Sequence, residues 1–378
     1  VVEWNDQLIS PNGSRLLRPA IVSGRNKKHM NKKIFVVAVL VLAVFAIWFF
    51  SRKPDAPGNT VVSDNQGQES QSQQPTSGPV SINGTVVDQA TADKRPIAVV
   101  VENHPDARPQ SGLADADLVY ETLAEGGITR FLAVYQANEA KNIGPVRSAR
   151  TYFNELADEL GALYAHVGGN SDALAYLKQG QYKNLNDLDQ FFDDGTYFSR
   201  IKSRSAPHNV YTSTERLWKF FAARHLSDKA SFSSLQYKDD DAGMDGAQAA
   251  TDISIDFSLP QFMVNYQYDA ENNTYLRFMA GKAHNDPDTG KQITAKTIVV
   301  QMVQTFPVQS DTPLAIGMTL VGSGKAYVFQ DGKAVTGTWK KEAGDRTRFY
   351  NADGQEIKFD RGTMWVEIVP EDRPVTWK

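Results

Sequence analysis

Apolar positions follow three different patterns along the chain. From Ile34 to Phe50 they are continuous (IFVVAVLVLAVFAIWFF). Seventeen residues at about 1.5 Å rise give about 25 Å, a short transmembrane helix that Ser51 and the snorkelling Lys33, Arg52 and Lys53 can extend. From Ile82 to about residue 237, short apolar runs alternate with helical spacing. Pro96 to Glu102 (PIAVVVE) predicts a strand covered on both faces. Leu118 to Leu123 and Thr129 to Gln136 predict a hairpin across Glu125-Gly126-Gly127. Helical spacing follows from Tyr152 to Leu163, then a second covered strand at Ala162 to Val167. Ser171 is placed to cap a helix through Lys178, and Thr212-Ser213-Thr214-Glu215 reads as a capping box for a helix ending near Leu226. Beyond residue 249 alternation takes over: Met263 to Tyr268, Tyr275 to Met279, Thr297 to Val303, Lys325 to Gln330, Thr336 to Lys340 and Met364 to Val369 predict strands. Asp331-Gly332 and Asp353-Gly354 are strong hairpin signals.

These patterns predict an α+β chain in five parts. Residues 1–33 are a basic cytoplasmic tail, and the start-like Met30-Asn31-Lys32-Lys33 makes residues 1–29 either such a tail or an extended reading of the gene. Residues 34–50 are the single transmembrane helix. Residues 51–81, rich in Ser, Gln, Gly and Pro, form a disordered linker. Residues 82–237 form a mixed α/β domain, and residues 250–378 a mostly antiparallel β domain. Seven basic residues precede the apolar run, so the positive-inside rule places the N-terminus in the cytoplasm and the folded part outside. Ser51-Arg52-Lys53-Pro54-Asp55 offers no small-x-small cleavage site, which favours a retained anchor over a signal peptide.

Charge sharpens the expectation of partners. Nine of the 40 basic and two of the 44 acidic residues lie up to Lys53, leaving the remainder with a net charge of about −11. An acidic ectodomain argues against nucleic acid or anionic lipid headgroups as the main partner. There is no cysteine, hence no disulfide, thiolate zinc site or lipidation cysteine in this sequence. No cofactor is expected.

Candidate chemistry concentrates in loops after covered strands, where α/β proteins place binding groups. Asn103, Arg108, Gln110 and Ser111 follow the first strand. Glu121, Glu125 and Arg130 surround the hairpin, and Arg147, Ser148 and Arg150 precede a helix. Arginine offers a rigid fork of donors for carboxylate or phosphate. Two readings stand open: these arginines form an anion pocket, or Glu121 and Glu125 pair internally with Arg130 or Arg147 and only order the fold. His166, in Ala165-His166-Val167-Gly168-Gly169-Asn170, and His208, beside Asn209, are expected at the rim. His104, His166 and His208 have no metal-signature spacing, so no metal is expected unless distant residues assemble one. A hydrolase using His166 or His208 with Glu121 or Glu125 is the alternative, although no Gly-x-Ser-x-Gly elbow supports a serine nucleophile. Asp286-Pro287-Asp288-Thr289-Gly290 reads as a hairpin tip rather than a calcium loop, and Trp339, Tyr350 and Trp365 as sheet packing.

The stretches ENHPDARPQSGLADADLVYE (102–121), EGGITRFLAVY (125–135), NIGPVRSAR (142–150), HVGGNSDAL (166–174), APHNVY (206–211), GSGKAYVFQDGKAVTGTWKK (322–341) and GTMWVEIVP (362–370) resemble the YerB-like bacterial envelope proteins, a two-part domain of unknown function. The resemblance spans nearly all of residues 82–372. It implies a two-domain extracytoplasmic protein, generally an anchored lipoprotein, without established catalysis. This sequence departs from that pattern in lacking the cysteine, so the apolar run is expected to serve as the anchor. The resulting expectation is an envelope protein binding a polar or anionic ligand, a cell-wall component or a cell-wall synthesis protein.

Overall fold

The covered runs predicted from the sequence become interior strands of one large sheet. In the computed structural model, which describes residues 78–79, 82–229, 231–240 and 247–378, an eleven-stranded mixed sheet contains β1 (Ile97–Glu102), β2 (Leu118–Leu123), β3 (Thr129–Tyr135), β4 (Leu163–His166), β5 (Asn186–Asp189), β6 (Gln248–Ala249), β7 (Thr297–Val303), β8 (Gly322–Gln330), β9 (Lys333–Lys341), β10 (Arg348–Asn351) and β11 (Met364–Pro370). The order is β6-β9-β8-β7-β11-β2-β3-β1-β4-β5, with β10 also on β9. The sheet passes from the first half of the sequence to the second through the parallel pair β2 and β11, in register from Leu118 opposite Met364 to Thr122 opposite Ile368. β3, β7 and β11 are buried along their whole length, so Thr297 to Val303 and Met364 to Val369, read as alternating strands, are instead covered on both faces.

Successive residues of β1 face opposite layers, as a strand's two-residue period requires. Ile97, Val99 and Val101 pack with Ile253, Ile255, Val264, Tyr266 and Tyr275. Ile253 to Tyr275 belong to a smaller antiparallel sheet built from Asp252–Asp256, Met263–Asp269, Thr274–Met279 and shorter strands. Ala98 and Val100 pack on the other face with Tyr152, Phe153, Leu156 and Ala157 of helix α1 (Thr151–Asp158) and with Ala173 of helix α2 (Ser171–Lys178). Helix α3 (Thr214–Arg224) buries Leu217, Phe220 and Phe221 in the first of these cores.

Several boundaries differ from the sequence reading. α1 stops at Asp158 instead of reaching Leu163, because Gly161, at φ +56°, turns the chain into β4. The cap of α2 is Asn170, whose side chain accepts the Ala173 N–H, and not Ser171. The cap of α3 is Ser213, accepting from Arg216 N at 3.2 Å, whereas Thr212 N is committed to Ile143 O and Glu215 to Lys219. The Asp331-Gly332 hairpin forms as read, with both residues at positive φ. Gly78–Pro79, inside the stretch read as a linker, pair with Val86–Val87. Residues 1–33, the apolar run at 34–50 and the rest of the linker before residue 78 lie outside the described residues. Among those described, no helix is long and apolar enough to cross a membrane.

Candidate functional site

The pairing directions set where chemistry can gather. β1, β4 and β5 are mutually parallel, β3 runs against both β1 and β2, and β2, β11 and β7 are parallel. Six strands therefore point one way, and Glu102, Leu123, His166, Asp189, Val303 and Pro370 end along one edge of the sheet. Ligands of open α/β sheets bind outside such carboxyl ends, where neighbouring strands diverge.

The divergence lies between β1 and β4. The segment Pro145 to Ala149 threads between their ends: Glu102 N donates to Pro145 O, Arg147 N to Val100 O, Val167 N to Arg147 O and Ala149 N to Gly168 O, all at 2.8–3.0 Å. This backbone wedge delivers Arg147 next to Glu102. The Glu102 side chain is 5% exposed; one of its oxygens lies 3.0 Å from Arg147 Nε and the other 2.8 Å from His208 Nδ1. The Arg147 contact is an ion pair without the alignment of a hydrogen bond. Arg147 and His208 remain 25% and 19% exposed, and Arg147's terminal nitrogens have no protein partner among the described residues. His104 stacks on His208 with ring centres 5.3 Å apart. The His208 loop is held against the His104–Pro109 loop by Arg204, which donates to Ala107 O and Pro109 O. Asn209 is engaged by Arg200 at 2.9 Å.

Next to this open cluster is a closed one. Glu125 takes Arg130 Nη2 at 2.7 Å and Arg150 Nε on its other oxygen. Arg130 also reaches Ser148 O at 3.4 Å, and Arg150 donates to Ala149 O at 2.6 Å. Burial opposes the Glu125 charge, but Arg130 and Arg150 outweigh it and hold the carboxyl below its ordinary range. Burial, then the like charge of Arg150, lowers Arg130. Ser148 lines a cavity of about 740 Å³ with Gly168, Gly169, Asp189, Phe191 and Phe192.

The remaining predicted residues lie in a network between the two sheets. Arg277 pairs with Glu121 and, at 2.7 Å, with Glu367, all three fully buried. Thr129 and Asn103 donate to Glu121 Oε1, and Gln110 and Arg108 donate to Asn103 Oδ1 at 2.8 and 3.0 Å. Tyr266 donates to Glu367, and Trp365 lies over the Arg277 guanidinium at 4.1 Å. Burial pushes Glu367 up to about 8 against the pull of Arg277. The same burial works against the Arg277 charge, but Tyr266, Glu121 and Glu367 outweigh it and shift the guanidinium upward. Desolvation lowers Arg108.

The structure thus brings Arg147 and His208 together on Glu102, with the Glu125–Arg130–Arg150 cluster beside them, and sets the other candidates apart. Asn103, Gln110 and Glu121 are buried in the inter-sheet network, and Ser111 exchanges backbone hydrogen bonds with Gly144. His166 is fully buried, its Nδ1 2.9 Å from Gly168 O and its Nε2 3.6 Å from Asp187, so it does not stand at an exposed rim. Glu121 pairs with Arg277, not with Arg130 or Arg147, and the Glu125 pairing with Arg130 is as one of the two readings expected. The carboxylate on His208 is Glu102, not Glu121 or Glu125. Sequence reasoning singled out the segment that begins at Glu102, closing the apolar run PIAVVVE, but did not assign its carboxylate to His208 and Arg147. It also missed Arg204 and Arg277, whose partners are distant in sequence. Trp339 and Trp365 are buried as read, and Asp286 is a docked hairpin tip, accepting Gly112 N at 2.8 Å and Ala114 N at 3.3 Å.

Comparison with known proteins agrees along both halves. Residues 82–227 match the N-terminal domain, and residues 253–366 the C-terminal domain, of the protein family of unknown function DUF3048. YerB of Bacillus subtilis, named as a candidate lipoprotein, is 34% identical over 292 residues, 77% of this chain and 86% of the relative. The crystal structure of B. subtilis YerB superposes with a TM-score of 0.70 at 31% identity, covering 79% of this chain and 99% of that one. The chain belongs to the YerB-like DUF3048 family.

Proposed function

We propose that this is a membrane-tethered envelope protein that binds, without turning it over, an anionic group of a cell-wall fragment in the crevice between the ends of β1 and β4. The observation that carries the reading is the shared anchoring of Arg147 and His208 on buried Glu102, which fixes both side chains and leaves Arg147's terminal nitrogens open. Arg130 and Arg150 stand close behind, so three guanidinium groups face two carboxylates, Glu102 and Glu125. This locally positive spot on an acidic chain suits a small carboxylate or phosphate better than a polyanion. The apolar wall at Phe191 and Phe192 can take up the uncharged part of such a ligand. The apolar run at 34–50 and the name of the B. subtilis relative support the membrane location.

Titrating the purified full chain with a muramyl tripeptide, followed by calorimetry, tests this reading. Arg147→Ala should weaken binding at least about 10-fold, the effect of one lost charge-assisted contact. Equal affinities in the two proteins would reject it. A second reading, a wall hydrolase, is favoured by one contact: Glu102 at 2.8 Å from His208 Nδ1 is the carboxylate–imidazole pair of a general base. Peptidoglycan turnover that is lost in His208→Ala would select it over simple binding.

A further inference from the structure

His104, Asp106 and His208 each bring a ligating atom within 4.8 Å of the other two. His104 and Asp106 stand just past β1, while His208 comes from a loop about a hundred residues later. Hydrogen bonding fixes which ring nitrogens carry protons. Asp106 N can only donate, so His104 Nδ1, at 3.2 Å, accepts from it and holds a lone pair. The same nitrogen lies 3.6 Å from a carboxylate oxygen of Asp106, so an imidazole nitrogen and a carboxylate stand side by side, and a metal ion would take the lone pair that Asp106 N engages. Glu102 can only accept when ionised, so at 2.8 Å it fixes the proton of His208 on Nδ1 and leaves Nε2 as the lone-pair nitrogen. A carboxylate behind the far nitrogen of an imidazole is the arrangement that orients histidine ligands on metals.

From this geometry we infer a divalent transition-metal site formed by His104, Asp106 and His208, with Glu102 supporting His208 from behind. Two imidazoles and a carboxylate suit Zn²⁺ or Co²⁺ rather than Mg²⁺ or Ca²⁺, which prefer all-oxygen sets. Ligands on one tetrahedral ion stand about 3.3 Å apart. The 3.6 Å pair already meets this closely, and the 75% exposed Asp106 side chain is free to move and close the rest. Three protein ligands leave a coordination position open to water or an anion. The site goes beyond the anion-binding reading and does not depend on it.

The test is a zinc titration of the chelator-stripped full chain, with bound metal measured after dialysis and no muramyl ligand present. One Zn²⁺ should bind per chain, and Co²⁺ should give the visible absorption of a low-coordinate site. His104→Ala combined with Asp106→Asn, both on solvent-facing side chains, should lower affinity at least about 100-fold with an unchanged circular dichroism spectrum. Glu102→Gln, which keeps all three ligands, should lower it about 10- to 100-fold. Absence of binding to the wild type at micromolar zinc, or equal binding by wild type and the His104/Asp106 double variant, would overturn the site.

Discussion

Arg277 and Arg147 are both held by glutamates of the large sheet, but one is sealed and the other is open. Arg277, Glu121 and Glu367 are fully buried between the two sheets, with Tyr266 and Trp365 closing the remaining faces. Arg147 shares Glu102 with His208 at the carboxyl edge of the large sheet and keeps a quarter of its side chain in solvent. The first arrangement joins sequence regions that are 156 and 90 residues from Arg277, and no ligand can reach it. The second leaves donors unspent. The same residue types therefore serve architecture in one place and are open to recognition, as proposed, in the other, and exposure is what separates them.

The largest expected effect comes from opening the sealed cluster. Arg277→Met would leave buried Glu121 and Glu367 without their cation and should cost about 3–5 kcal/mol in urea unfolding. Adding Glu121→Gln and Glu367→Gln should recover most of that loss; failure to recover would mean that Arg277 acts through packing on Trp365 instead of charge.

A smaller effect separates the two arginines of the Pro145 to Arg150 region. Arg150→Ala removes a buried charge-assisted bond to Glu125 and should cost about 2 kcal/mol. Arg147→Ala, at a partly solvated pair, should cost less than about 1 kcal/mol. Equal costs would erase the distinction between closed and open clusters.

The pH dependence separates the same two clusters by sign. Glu367 is raised from 4.5 to about 8 in the folded state, so its contribution is fully present below the unfolded value and is lost as pH rises through 8. Chemical denaturation between pH 4.5 and 8 should show stability falling more steeply in the wild type than in Glu367→Gln. Glu125 has the opposite sign: its carboxyl is held down by Arg130 and Arg150, so that contribution is lost only as pH falls below the ordinary carboxylate range. The smallest effect is expected at Phe192, 88% exposed on the wall of the Ser148 cavity. Phe192→Ser should leave stability within about 0.5 kcal/mol.

Much of the architecture was legible because its signals are local. The covered runs at β1 and β4, the hairpin across Glu125-Gly126-Gly127 and the Asp331-Gly332 turn depend on neighbours in sequence. The strand pairing between β2 and β11 was not legible, since both are apolar runs and nothing local says which partner each takes. The candidate site was legible in residue types but not in pairings. Glu121 was read against nearby arginines, whereas Arg277 lies 156 residues away. The two-residue period of β1 and its continuation explains part of the remainder: it turns Asn103 into the inter-sheet network and leaves Glu102 beside Arg147 and His208.

The most direct test of the contrast is one paired experiment on Arg147→Ala: muramyl-tripeptide affinity by calorimetry and thermal unfolding on the same preparation. The account predicts an affinity lowered at least about 10-fold and a melting temperature within about 3 °C of the wild type. A large fall in melting temperature with unchanged affinity would contradict it, making the Glu102 cluster a second piece of architecture.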